Sequence, residues 1–327
     1  MGATHLKRDM ELSSALRTEL VERLRAAGEL TDPRWRRAFS EVPRELFVPV
    51  YYTGAVGGHR RLSGGDPDPL GHEDWLVGAY ADEPLATRVR DGEPISSSSQ
   101  PSLMARMLSA LNVQDGHRVL EIGTGTGYNA ALLAHRLGDG NVTTADLDPE
   151  ITASARDHLT EAGFHPEVVT GDGALGCPWR APFDRILATC AVSRVPPAWI
   201  AQTRPDGLIL APLATGLLAL RVADATHAEG RFLRTPAYFV PLRGGAAAPV
   251  PRIRGLPWRL LQSERFRFLL TLTAGALDPA GAHAVWRAEG RPGRERFGVS
   301  VAGDAQWAWL DHPEGPCRWP LGGTRRP

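Results

Sequence analysis

Val119-Leu120-Glu121-Ile122-Gly123-Thr124-Gly125-Thr126-Gly127-Tyr128 decides how this chain is read. A short apolar run ends in an acid, a loop follows with glycine at every second position, and a helical pattern begins. Glycine at Gly123 and Gly125 lets a ligand lie against bare backbone. Nineteen residues beyond Gly127 stands Asp146, closing a second apolar run, Asn141-Val142-Thr143-Thr144-Ala145. An acid there can accept hydrogen bonds from both hydroxyls of a ribose. The pattern predicts a nucleoside-bearing cofactor at the carboxyl ends of a parallel sheet.

Charge narrows the nucleoside. The dinucleotide fingerprint G-x-G-x-x-G needs glycine where this chain has Tyr128. Glu121, two residues before the first glycine, repels phosphate and suits a cationic ligand. S-adenosyl-L-methionine carries a sulfonium and an ammonium and no phosphate, and S-adenosyl-L-homocysteine would be its product. Glu121 is expected to face the methionine part, Gly123 and Gly125 to give backbone approach, and Asp146 to take the ribose. Thr124, Gly127, Tyr128 and Leu147 complete the expected cofactor-binding set around them.

Composition sets bounds. Lys+Arg and Asp+Glu are equal at 37 each, so no basic face for nucleic acid is implied. Cys177, Cys190 and Cys317 are too widely spaced for a disulfide framework or a zinc site, and no metal is expected. No run approaches a membrane span and the first residues lack a signal-peptide core, so a cytoplasmic protein without membrane partners is expected.

Leu12, Ala15, Leu16, Leu20, Leu24 and Ala27 recur at helical spacing and predict an amphipathic helix over 12–29. Asp32-Pro33 starts a second helix, ending near Val42-Pro43. Residues 53–74, rich in Gly, Pro, Asp and His, read as a long surface loop in which His59 and His72 are solvated. From 118 the chain alternates: strands at 118–122, 141–146, 167–170, 184–189 and 207–213, with helices between most of them. That is βαβ order, hence an α/β fold with a mostly parallel sheet. Strands at 217–223 and 235–241 are expected to form an antiparallel edge pair. Asp184, opening a strand, reads equally as a structural cap.

Gly244-Gly245-Ala246-Ala247-Ala248-Pro249 reads as a linker. Beyond it, strands at 296–301 and 306–310 flank the hairpin signal Ala302-Gly303-Asp304-Ala305. Trp258, Trp286, Trp307, Trp309 and Trp319 are five of the chain's nine tryptophans. They favour a small β-rich core over an aromatic peptide-binding face. Three regions are therefore expected: a helical and loop region over 1–95 capping the active site, a methyltransferase core over 96–243, and a β-rich substrate-recognition extension over 250–327.

Other segments carry a resemblance. Ser99-Gln100-Pro101-Ser102-Leu103-Met104-Ala105-Arg106-Met107-Leu108 resembles the I-S-Q-P-x-M-V-A-x-M segment of protein-L-isoaspartate O-methyltransferases. Val42-Pro43-Arg44-Glu45-Leu46-Phe47-Val48-Pro49, Ala79-Tyr80-Ala81-Asp82, Gly171-Asp172-Gly173 and Phe239-Val240-Pro241-Leu242 are similar to further landmarks of that family, in the same order. The resemblance implies a class I S-adenosylmethionine-dependent methyltransferase fold and a peptide or protein substrate bearing aspartate or isoaspartate. It places the acceptor-orienting hydroxyl at Ser99, with Ser98 next to it if the register slips by one. It also puts Asp172 and Gly173 at the adenine amine.

The chain departs from the family at Asp91-Gly92-Glu93-Pro94-Ile95-Ser96-Ser97-Ser98-Ser99, where G-x-G-Q-T-I-S is usual, and in its long tail. Both resemble a subgroup found beside ATP-grasp ligases that make graspetides. That resemblance implies methylation of an aspartyl side chain in a bridged peptide, the ester then closing to an aspartimide. Repair of isoaspartate in proteins is the alternative, and a non-catalytic binding protein on the same scaffold is a second.

Overall fold

In the computed structural model of the protein, residues 3–55, 58–90, 92–244, 253 and 256–322 are described. The chain divides into two compact units, Met1–His117 with Thr124–Thr170, and Arg118–Gly123 with Gly171–Pro327.

The expected first helix is α1 (Ala3–Ala26), which buries Leu20, Val21 and Leu24. In α2 (Pro33–Glu41), Asp32 accepts the Arg34 N–H and a proline fills the first turn, so the start is fixed locally. The segment expected to be a surface loop differs. It holds β1 (Val50–Ala55), β2 (Gly58–Ser63) and the beginning of α3 (Pro69–Ala79). Tyr51 and Leu62 stand opposite each other in the β1–β2 register and are both buried, while His59, Arg60 and Arg61 face outward. One large buried side chain per strand is too weak an alternation to read as a hairpin from sequence.

The chain continues through β3 (Leu85–Arg90), β4 (Glu93–Ser98) and α4 (Pro101–Leu111). The first four strands form an antiparallel sheet in the order β2-β1-β3-β4. The region expected to be helix and loop therefore contains a sheet.

Next come β5 (Val119–Ile122), α5 (Tyr128–Leu137), β6 (Val142–Asp146), α6 (Pro149–Glu161), β7 (Glu167–Thr170), β8 (Phe183–Ala188), α7 (Pro197–Ala201) and β9 (Thr203–Leu213). This is the βαβ order the sequence predicts. Strands β5 and β6 are buried along their whole length, as befits parallel strands covered on both faces. The remaining elements are β10 (Gly216–Val222), β11 (His227–Pro236), α8 (Trp258–Leu261), α9 (Glu264–Leu272), α10 (Pro279–Ala288), β12 (Phe297–Ala302), β13 (Ala305–Leu310) and β14 (Arg318–Pro320).

In the first unit, β6 pairs parallel with β7. In the second, β5, β8 and β9 are parallel, and β9 through β14 follow antiparallel, each beside the next. The antiparallel part thus exceeds the expected edge pair, because β12 of the extension pairs directly with β11. The strand expected over 235–241 is earlier, ending at Pro236, since proline has no N–H with which to continue a ladder. Helices α8, α9 and α10 accompany the extension's strands. Residues 245–249 of the expected linker lie outside the described residues.

Trp286, Trp309 and Trp319 are buried, and the Trp307 ring lies 4.2 Å beneath the Arg318 guanidinium. Trp258 is the exception, 68% exposed. The extension is also tied to the core of its unit: Gln306 Nε2 donates to the Val195 carbonyl at 2.6 Å, and its Oε1 accepts the Val195 N–H at 2.9 Å.

Candidate active site

In the second unit, Glu121 is wholly buried near the end of β5. Gly123 follows with φ 99°, and a β-carbon on it would lie 2.6 Å from Thr189 Oγ1. That hydroxyl donates to the Gly123 carbonyl at 2.6 Å and the Ile122 carbonyl at 3.1 Å. Gly123 is therefore demanded by the end of β8 as well as by its own backbone, and not by ligand approach alone. Thr189 is a residue that sequence reasoning missed. Its one signal was a hydroxyl at the end of an apolar strand.

Asp172 is half-buried, and its Oδ1 accepts the Ala174 N–H at 2.9 Å, turning the chain after β7. Gly173 packs so closely on Ile122 that a β-carbon would stand 2.7 Å from its Cγ2 and 3.2 Å from Leu242 Cδ1. The unit thus brings Ile122-Gly123, Gly173 and Leu242 together. Asp184 lies elsewhere: its Oδ2 accepts the Arg118 N–H at 2.8 Å and its Oδ1 accepts from Arg204 at 2.9 Å. Those contacts fix the starts of β5, β8 and β9.

In the first unit, Asp146 is nearly buried at the end of β6. Its Oδ2 accepts the Gly125 N–H and its Oδ1 the Asp148 N–H, both at 3.3 Å. The acid and the glycine loop are therefore in contact. Thr124 is buried and shares a 2.8 Å hydrogen bond with Thr144. Leu147 is 40% exposed beside Asp146.

Two expected binding residues have other duties. The Tyr128 ring is buried, 5.6 Å from Phe47 and 6.3 Å from Phe39, and burial pushes its phenol up from the ordinary value. Its side chain is core, because the first turn of α5 faces inward there. Gly127 has φ 89° and sits against α6, where a β-carbon would meet the Ala155 carbonyl at 3.3 Å. Helix packing accounts for that glycine.

The serine run is split by the end of β4. Ser98 lies within the strand, 3% exposed, and its Oγ has no hydrogen-bond partner. Ser99 follows in the loop and is half-exposed. A cavity of about 150 Å³ opens beside Gly125 and Thr126, with Thr87, Ser96, Ser154 and His158 among its walls.

The Ser99 loop is held from two sides. Arg44 is fully buried and donates to the carbonyls of Ala79 (2.6 Å), Ala81 (3.1 Å), Glu83 (3.3 Å) and Ser99 (3.2 Å). Burial pulls its guanidinium below the ordinary value, partly offset by the nearby Asp82 carboxylate. Asp82 Oδ1 accepts the Ser102 N–H at 2.8 Å, and Oδ2 accepts from Gln100 at 3.4 Å, capping α4. The sequence marked both residues as landmarks but gave neither a role.

A family profile described as protein-L-isoaspartate(D-aspartate) O-methyltransferase matches residues 72–246. Protein-L-isoaspartate O-methyltransferase 1 of Anaeromyxobacter sp. (strain Fw109-5) is 38% identical over 234 residues, covering 69% of this chain and 95% of that protein. The enzyme of Aeropyrum pernix is 33% identical over 243 residues, covering 72% and 83%. A solved structure titled protein-L-isoaspartate O-methyltransferase aligns over 90% of this chain and all of its own, with TM-score 0.63 and 23% identity. A second, from Plasmodium falciparum in complex with S-adenosyl-L-homocysteine, aligns over 69% of this chain and 97% of its own, with TM-score 0.51 and 14% identity. The fold is that of a class I S-adenosylmethionine-dependent methyltransferase, and the chain belongs to the protein-L-isoaspartate(D-aspartate) O-methyltransferase family.

Proposed function

We propose that the chain transfers a methyl group from S-adenosylmethionine to the free carboxylate of an isoaspartyl residue in a protein or peptide. The observation that carries this reading is the 38% identity to an isoaspartate methyltransferase across 95% of that enzyme's length. The reading favours isoaspartate repair over the bridged aspartyl peptide that the serine run and tail suggested.

The donor-side residues fit the cofactor. Asp146 is oriented by two backbone N–H groups, so its carboxylate is fixed for ribose hydroxyls. Leu147 offers exposed apolar surface for a flat base. Glu121 and Asp172 are the acids assigned to the methionine part and the adenine amine.

When bound, S-adenosylmethionine supplies a methyl group on a sulfonium, whose sulfur departs with the bonding electron pair. A carboxylate is ionised at neutral pH, so no residue of this chain has to remove a proton. The chain's task is to hold the acceptor oxygen in line and to keep water from it. We assign the orienting hydroxyl to Ser99, since Ser98 is enclosed within β4.

A second reading rests on one observation: the run Ser96-Ser97-Ser98-Ser99 departs from the family segment that it resembles. In that reading the acceptor is an aspartyl side chain of an ATP-grasp-modified peptide. The test uses three synthetic peptides of one sequence: isoaspartyl, aspartyl, and aspartyl within a side-chain bridge. Methyl transfer to the isoaspartyl peptide is expected. Transfer confined to the bridged peptide would replace the first reading with the second.

A further inference from the structure

Segment 237–243 leaves β11 and crosses the carboxyl ends of the second unit's strands. The Ala191 N–H donates to the Val240 carbonyl at 2.8 Å, and the Leu242 N–H donates to the Ala191 carbonyl at 2.8 Å. Ala191 is two residues beyond Thr189, whose hydroxyl holds the Gly123 carbonyl. Leu242 rests near Gly173. The segment is thus fixed beside both turns of this unit that carry donor-side residues, Glu121-Ile122-Gly123 and Asp172-Gly173.

Two side chains of the segment are open. Tyr238 is 55% exposed and Val240 is 42% exposed, in a region where neighbouring strand residues are buried. The Tyr238 ring is not free to swing, because its hydroxyl donates to Glu264 Oε1 at 2.8 Å. Glu264 opens α9 of the extension. It stands at that helix's positive end, and its other oxygen lies 3.9 Å from the buried Arg294 guanidinium. Arg294 Nε in turn donates to the Thr215 carbonyl at 3.1 Å. Phe268 of α9 packs edge-on against Phe232 of β11, with ring centroids 4.9 Å apart. The extension therefore reaches the exposed tyrosine through a chain of anchored groups.

We propose that Tyr238, fixed by Glu264 of the extension, is a specificity-determining residue that contacts an apolar side chain flanking the methylated residue of the acceptor peptide. The inference rests on the function proposed above. It makes the extension act on acceptor choice through one ring, with Val240 beside it. An oriented tyrosine gives a large apolar face at small entropic cost, whereas a free one would lose rotamer freedom on each encounter.

The test measures methyl transfer to two isoaspartyl peptides that differ only in the flanking residues, leucine on both sides or glycine on both sides. The wild-type protein should show the lower KM for the leucine peptide. Tyr238→Ala should raise that KM by about tenfold, leave the glycine peptide nearly unchanged, and keep the affinity for S-adenosylhomocysteine in calorimetry. Tyr238→Phe and Glu264→Ala should each give part of the effect, and the two together no more than either alone, because both break one hydrogen bond. Equal KM changes for both peptides, or none, would overturn the inference. Failure of the wild-type protein to methylate either peptide while binding S-adenosylhomocysteine would instead remove the function on which it rests, and the inference with it.

Discussion

Asp146 stands within reach of the Gly125 N–H and beside the exposed Leu147, and its substitution tests donor binding alone. Asp146→Ala removes two charge-assisted bonds to the ribose worth about 1.5–3 kcal/mol each, so affinity for S-adenosylhomocysteine should fall by roughly a hundredfold or more. Calorimetric titration reads it, and unchanged affinity in a folded variant would refute the assignment. Ser99→Ala separates the other half of the site. Donor affinity should hold while kcat drops by roughly ten- to a hundredfold, the loss of one hydrogen bond to a carboxylate. If Ser98→Ala is the inactive variant instead, the orienting hydroxyl is one residue earlier. Asp146 was legible as a candidate from its spacing to the glycine loop, and Ser99 from the resemblance of its segment. Thr189 and Arg44 were not. Their partners are backbone carbonyls of residues distant in sequence, and nothing local in the chain announces which carbonyls those will be.

At the level of elements, the Ser99 loop depends on the cap of α4. Asp82→Ala leaves the Ser102 N–H without its acceptor and should cost about 1 kcal/mol, the usual loss for a helix cap. Urea unfolding should show a lower midpoint at unchanged slope. The βαβ strands and their order were readable because buried parallel strands appear as unbroken apolar runs. The β1–β2 hairpin was hidden because the exposed His59, Arg60 and Arg61 break the alternation ahead of the buried Leu62. The ends of β11 were misplaced because Pro236 and Pro241 both bound plausible strand segments, and only pairing with β10 decides between them. Acid sensitivity belongs at this scale too. The Arg296 guanidinium bonded to Asp311 holds that carboxyl below the ordinary value. A depressed carboxylate stabilises the fold above its unfolded value near pH 4, and the contribution is lost as pH falls through the folded value. Asp311→Asn should therefore lower thermal stability slightly at pH 7 and flatten the fall below about pH 4. An unchanged acid limb would show that the exposed pair contributes nothing measurable.

At the scale of the whole molecule, the extension is structural before it is anything else. Its β12 continues the sheet from β11, and Gln306 takes both polar groups of the Val195 backbone. A chain ending at Arg243 would expose one edge of β11 and the ring of Phe232 that Phe268 covers. Such a chain should aggregate or melt well below the full-length protein in differential scanning fluorimetry. An equally stable truncated chain would show that the extension is an independent appendage. Sequence composition marked where the extension begins but not that its strands join the same sheet, because pairing between strands some seventy residues apart leaves no local trace. The central claim is the chemistry of transfer, and the most direct measurement locates the methyl group. An isoaspartyl peptide incubated with the protein and S-adenosylmethionine is followed by tandem mass spectrometry. The account expects one methyl group on the free carboxylate of the isoaspartyl residue, then loss of methanol as the neighbouring nitrogen closes an imide. A methyl group on any other atom, or none while S-adenosylhomocysteine binds, would contradict it.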